Sequence, residues 1–194
     1  MTLSYILQVV TISITLILGL LSAYQNRKLQ HGQNIISVTT SIRAKRTDRL
    51  QECGEEVITN TMPELLDMQK EPELMLKNAC QAAETMGMLL HRNFEADKEL
   101  IDMSAQIVQL AITYVNAGKT EGTKKREALQ KLMYHRDVFK LKCDCYFSAE
   151  WDRVKRETKG KDTSSQSWID YHKEICEKNR ELFEEVEKKY SRKK

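Results

Sequence analysis

Three cysteines and one histidine are the best-equipped group in this chain for chemistry. Cys143-Asp144-Cys145 lies in one segment, and His172 and Cys176 lie in another. Three thiolates and one imidazole make a legitimate structural zinc set. His172 and Cys176 stand at i and i+4, so a helix places them on one face. The objection is geometric. Within a helix Cys143 and Cys145 diverge by about 160°, so both reach one metal only where the helix breaks. The alternative is that these thiols pack as small apolar side chains.

The remaining titratable residues are poorer in pattern. His31, His91, His135 and His172 are scattered, and none has a Ser or Cys neighbour spaced as a nucleophile and base. The sequence contains no Walker loop, GxSxG, HExxH or dinucleotide fingerprint. Its carboxylates sit at positions that amphipathic helices turn to solvent. The expectation is a protein that is not an enzyme and carries no cofactor.

Charge is segregated along the chain. Residues 62–117 hold nine acids and four bases, whereas residues 118–161 hold thirteen bases and seven acids, inside a total of +3. The basic stretch contains Lys119, Lys124, Lys125, Arg126, Lys140, Lys142, Arg153, Lys155, Arg156, Lys159 and Lys161. Tyr134, Phe139, Tyr146, Phe147 and Trp151 are interleaved with them. Lys124, Lys125, Arg126, Lys140, Lys142, Arg153, Lys155 and Arg156 are the candidates to grip an anionic, phosphate-bearing ligand, with bases stacking on an exposed aromatic. The competing reading is a solvated helix face whose aromatics belong to the core.

These residues must be positioned by helices. Two prolines, seven glycines and 30% charged residues, with no long strand alternation, indicate an all-α protein. One helix is expected from about Asn34 to Asn60. Gly32 either ends or kinks what precedes it. Thr61-Met62-Pro63-Glu64 has the pattern of a capping box with proline in the first turn. Pro72 restarts the chain after Glu71. The next helix turns Met75, Ala79, Ala82, Met86, Leu89 and Leu90 inward. A helix opened by Asp97 is apolar nearly all round, which places it centrally, and Gly118 is its expected cap. Thr123 begins a long helix to about Lys159. Gly160 ends it, and a loop follows over 161–167. The last helix carries Trp168, His172, Ile175, Asn179, Leu182, Val186 and Lys189 in 4-3 spacing, with Asn179 as a register-fixing polar residue in the seam.

The N-terminus is of another kind. Leu3–Tyr24 is uncharged and proline-free, and about 22 residues match a 30 Å hydrocarbon layer. No basic residue precedes it and Leu21 spoils a cleavage site at Ala23, so a retained span is expected and not a signal peptide. Arg27, Lys28, Arg43, Lys45, Arg46 and Arg49 follow it and set the C-terminal bulk in the cytoplasm, the N-terminus outside. Five cysteines, an odd number without framework spacing, suit that reducing compartment. The basic residues from Arg43 to Arg49 face either anionic headgroups or the acidic middle segment. The expected domains are a transmembrane helix over 1–25, a connecting helix over 26–61 and a cytoplasmic helical bundle over 62–194.

A polar line runs down the span. Ser4, Gln8, Thr11, Thr15, Ser22 and Gln25 keep 4-3 spacing, with Leu18 the one apolar member, and stay within about 40° of a single line on a helix. Such a line needs other helices or water. In one reading Ser, Thr and Gln bond across helices while Gly19-x-x-x-Ala23 allows close approach. In the other, Ser4, Gln8, Thr11, Thr15 and Ser22 line a pore that Leu18 closes by dewetting. Both require a homo-oligomer.

A single polar-faced N-terminal span, followed by a helical cytoplasmic domain without catalytic motifs, resembles the membrane effectors of bacterial antiphage systems. It is similar in plan to the Hailong-type transmembrane effector. That resemblance implies an oligomeric effector of the bacterial inner membrane, held off by a bound ligand, which for the Hailong type is a DNA oligomer. The expected partners are membrane lipid, further copies of the chain, and a nucleic-acid oligomer or cytoplasmic signalling protein. The alternatives are a non-conducting anchored scaffold and a zinc-stapled anchored domain.

Overall fold

The computed structural model describes residues 3–117, 122–159 and 165–191, with side chains of residues 3–20, 28–36 and 165 excepted. The described residues form seven helices and no strand. Helix α1 (Leu3–Asn60) is continuous for 58 residues, so Gly32 does not end it. The chain divides into two compact units, Met1–Ile42 and Arg43–Lys194, with the boundary inside α1. Residues 43–60 of α1 fall in the second unit.

In the first unit, Ser22 and its neighbours over 21–27 are exposed, as are Val38 and Ile42. Among the described residues no helix is long and apolar enough to cross a membrane. The expected span lies almost wholly on residues whose side chains are not described, and so do Ser4, Gln8, Thr11, Thr15 and Leu18.

The second unit is built from α1's last third and six shorter helices. Leu50, Cys53 and Val57 are fully enclosed, one face of α1 repeating every three to four residues. The end of α1 corrects the capping-box expectation. The Thr61 hydroxyl donates to the Val57 carbonyl at 2.6 Å, and its backbone N–H reaches the same oxygen at 3.2 Å. Thr61 thus closes α1 instead of opening α2 (Pro63–Met68), whose cap position is Met62 with no side-chain bond. Pro63 and Pro72 each start a helix, where a missing N–H costs nothing. Helix α3 (Pro72–Leu89) buries Leu76, Ala79, Ala82 and Met86, with Met75 and Leu89 half-buried.

Helices α4 (Glu95–Ala117) and α5 (Gly122–Thr158) form the spine. α4 packs between α3 and α5, and α5 carries α6 (Ser165–Lys178) and α7 (Arg180–Ser191). Leu132 and Phe139 of α5 are wholly enclosed. Each such side chain contributes about 1.5–3 kcal/mol by leaving water. Gly54 of α1 faces α5, where a Cβ would stand 3.5 Å from Cys143 Sγ. The expected cap Gly118 and the stop Gly160 lie outside the described residues.

The last expected helix is two. It breaks at Asn179, whose side-chain amide donates to the Ile175 carbonyl at 2.9 Å, while its backbone N–H reaches Ile175 and Cys176 carbonyls. Asn competes with the backbone in this way and favours helix ends over interiors. The seam accordingly splits. Trp168 and Ile175 are buried, Leu182 is exposed, and α7 instead seats Tyr190 on α5.

Candidate functional site

Two features of the second unit combine burial with polar chemistry. The first is an ionic cluster where α1 meets α4 and α5. Arg43 pairs with Glu157. Arg46 Nη2 lies 3.8 Å from Asp97 Oδ2, and Arg153 Nη1 lies 3.9 Å from Glu150 Oε1. Asp97 and Glu150 are only 3% and 7% exposed. The Asp97 carboxylate also accepts the His91 backbone N–H at 2.7 Å, holding the turn before α4. Burial pushes the Glu150 carboxyl up, and Arg153, Arg43 and Arg46 pull it back. Burial pushes the Tyr146 phenol far above its ordinary value. Desolvation, with Arg153 beside it, lowers the Arg43 guanidinium. Of the two partners proposed for this basic segment, the acidic middle segment supplies Asp97 to Arg46, while Arg43 turns to α5.

The second feature is an open groove of about 900 Å³ between the start of α4 and the α6–α7 pair. Phe94, Met103, Trp168, His172, Cys176 and Phe183 are among its lining residues. Both walls rest on α5. Trp168 and His172 stack at 5.3 Å with 16° between planes, and Tyr146 meets both edge-on. Burial, then Lys142, pushes the His172 imidazole down. Cys176 Sγ lies 3.7 Å from His172 Nε2. Cys145 reaches the same corner from α5: it is buried in the cluster against which Cys176 packs, and Asn179 Nδ2 lies 3.7 Å from its sulfur. Burial raises the Cys145 thiol to about 12.

The structure therefore brings Cys145, His172 and Cys176 together and sends Cys143 elsewhere, against Gly54. This is the divergence of i and i+2 on an unbroken helix. Among the described residues no group of three or more His, Cys, Asp or Glu is placed to hold a metal ion.

The candidate anion-binding residues are spread along α5 and do not form one patch. Lys124 and Arg156 are 32 positions apart, about 48 Å on a helix. Lys125 Nζ bonds Asp67 at 2.9 Å and lies over the Tyr114 ring. Lys142 bonds Glu99 at 3.0 Å and lies over Phe183. Arg156 bonds Asp152 at 2.6 Å and stacks on Tyr171, and Arg153 joins the ionic cluster. Lys124, Arg126, Lys140 and Lys155 are exposed. The interleaved aromatics Phe139, Tyr146 and Phe147 are buried. Sequence pattern passed over Asp97, Glu150 and Glu157, because carboxylates on amphipathic helices ordinarily face water. The signal available was Arg43 and Arg46 on α1's inward side, which need buried partners.

An all-α bundle with a buried ionic cluster and an open groove that Cys176 lines is the class the fold defines. No protein-family model, no curated protein and no solved structure matches this chain.

Proposed function

We propose that this chain is a homo-oligomeric, membrane-anchored effector without catalysis of its own. Its helical bundle reads an anionic ligand, with a nucleic-acid oligomer as the leading class, or a protein partner. α1 carries the outcome to an N-terminal span that controls membrane permeability, in defence against phage. The observation that carries this reading is the continuity of α1. One helix contains the apolar stretch from Leu3 and also contributes Leu50, Cys53 and Val57 to the bundle core. Arg43 and Arg46 tie that helix to α5 and α4 through the Glu157 and Asp97 carboxylates. Replacing a buried pair's partner costs several kcal/mol, so a ligand that alters α4 or α5 has a physical route to α1.

In this reading Gln8, Thr11, Thr15 and Ser22 line the pore with Ser4, and Leu18 closes it. Leu18→Ser then makes liposomes containing the protein leak a small dye without ligand, while wild type retains it. Equal retention by an inserted, oligomeric Leu18→Ser protein removes the gate.

A second reading is a non-conducting scaffold. It is favoured by the four basic residues of α5 that are already paired to the chain's own acids. Planar-bilayer recording with candidate oligonucleotides separates the two readings: current supports the effector, and silence with demonstrated binding supports the scaffold.

A further inference from the structure

We propose that Cys145 and Cys176 form an oxidant-responsive dithiol, a modification site that closes a reversible disulfide between α5 and α6. Cys145 of α5 and Cys176 of α6 belong to one packed cluster at the interface of the two helices. Asn179 spans the pair, its side-chain amide at 3.7 Å from Cys145 Sγ and its backbone N–H on the Cys176 carbonyl at 3.2 Å. The two sulfurs differ in access. Cys145 is 2% exposed, while Cys176 is half-buried and lines the groove. His172 Nε2, 3.7 Å from Cys176 Sγ, is the one ring nitrogen placed to take its proton. Two other thiols lack this arrangement: Cys143 is buried against Gly54, and Cys53 is fully enclosed on α1.

The chemistry balances with hydrogen peroxide as oxidant. His172 takes the Cys176 proton, and the thiolate attacks one peroxide oxygen. The S–O bond forms as the O–O bond breaks, leaving Cys176 as sulfenic acid. The departing hydroxide recovers the proton from His172 as water. Cys145 sulfur then attacks the Cys176 sulfur, and its proton leaves with the sulfenic hydroxyl as a second water. Two thiols are oxidised and one peroxide is reduced. The product fixes α6 to the spine and narrows the groove's freedom at the Trp168–His172 wall.

The test uses the full-length protein in detergent. It is treated with hydrogen peroxide, alkylated, and digested without reductant for mass spectrometry. The expected result is a Cys145–Cys176 linked peptide, a fall from five to three alkylatable thiols, and reversal by dithiothreitol. Cys145→Ser should accumulate a Cys176 sulfenic acid captured by dimedone, and Cys176→Ser should leave Cys145 unoxidised. His172→Gln should slow linkage roughly tenfold, since the attacking species is the thiolate. Circular dichroism matching wild type establishes that the variants are folded. Sulfinic acid at Cys176 without the link, a link through other cysteines, or stoichiometric bound zinc in the purified protein overturns the proposal.

Discussion

Gly54 has space for one methyl group and little more. A Cβ there would meet Cys143 Sγ at 3.5 Å and the Phe147 ring at 3.8 Å, ordinary contact distances. Gly54→Ala should therefore be neutral or stabilising by up to about 1 kcal/mol, the helix-propensity difference. Gly54→Leu should cost about 1–3 kcal/mol through overpacking. Denaturant melts of the two variants against wild type check both signs. His172 carries a pH prediction of definite direction. Its folded imidazole is pushed below the ordinary 6.5, so the unfolded chain binds the proton first. That contribution is fully present above about 6.5 and shrinks as pH falls below it. His135, lowered by burial, acts in the same sense. Glu150 acts in the opposite sense: its raised carboxyl favours the folded state in acid, a contribution lost as pH rises through the folded value. The His172 share is isolated by difference. His172→Gln should lose less Tm than wild type between pH 7.5 and pH 5.5, and equal slopes would remove the assignment.

At the scale of elements, α5 is the member whose loss is felt most widely, because it touches α4, α6 and α7. Phe139→Ala should cost about 3–5 kcal/mol by leaving a cavity in its enclosed face, read from urea unfolding. The positions of α3, α4 and α5 were legible from apolar spacing and from Pro72 and Asp97, since burial period and helix-start chemistry are both local. Two ends were not. Thr61 had the right type and spacing for an N-cap, but its hydroxyl found the Val57 carbonyl one turn back, and sequence pattern does not decide between those partners. Asn179 kept the 4-3 seam on paper. Its amide instead bonds the preceding turn, and the helix breaks where a coiled-coil seam would have continued. The i, i+4 pairing of His172 with Cys176 was legible, whereas the arrival of Cys145 beside them depends on how α6 lies on α5.

For the whole molecule, the charge segregation along the sequence becomes short cross-helix pairs. The acidic middle segment gives Asp67, Asp97 and Glu99, and these meet Lys125, Arg46 and Lys142 respectively. Exposed pairs of this kind contribute little individually. The buried Arg46–Asp97 contact differs, because Asp97 also holds the His91 turn. Asp97→Ala should destabilise by about 1–3 kcal/mol, since it removes both the acceptor of the His91 N–H and the carboxylate facing Arg46. A double-mutant cycle with Arg46→Ala should give a coupling of about 0.5–3 kcal/mol, and additivity would show the two residues act independently.

α7 is held at its ends. At one end the chain breaks at Asn179. At the other, Tyr190 donates to Asp137 at 2.8 Å, Lys189 bonds the same carboxylate, and Gln130 reaches the Tyr190 carbonyl at 3.0 Å. Tyr190 is its one buried side chain. In hydrogen–deuterium exchange such a strap behaves as a separate cooperative unit: its amides should exchange together, well before those of α5. Asp137→Asn should accelerate that whole block while leaving the protection pattern of α3 and α4 unchanged. The wall of the groove that contains Phe183 would then open on the timescale of α7's own release and not on that of global unfolding.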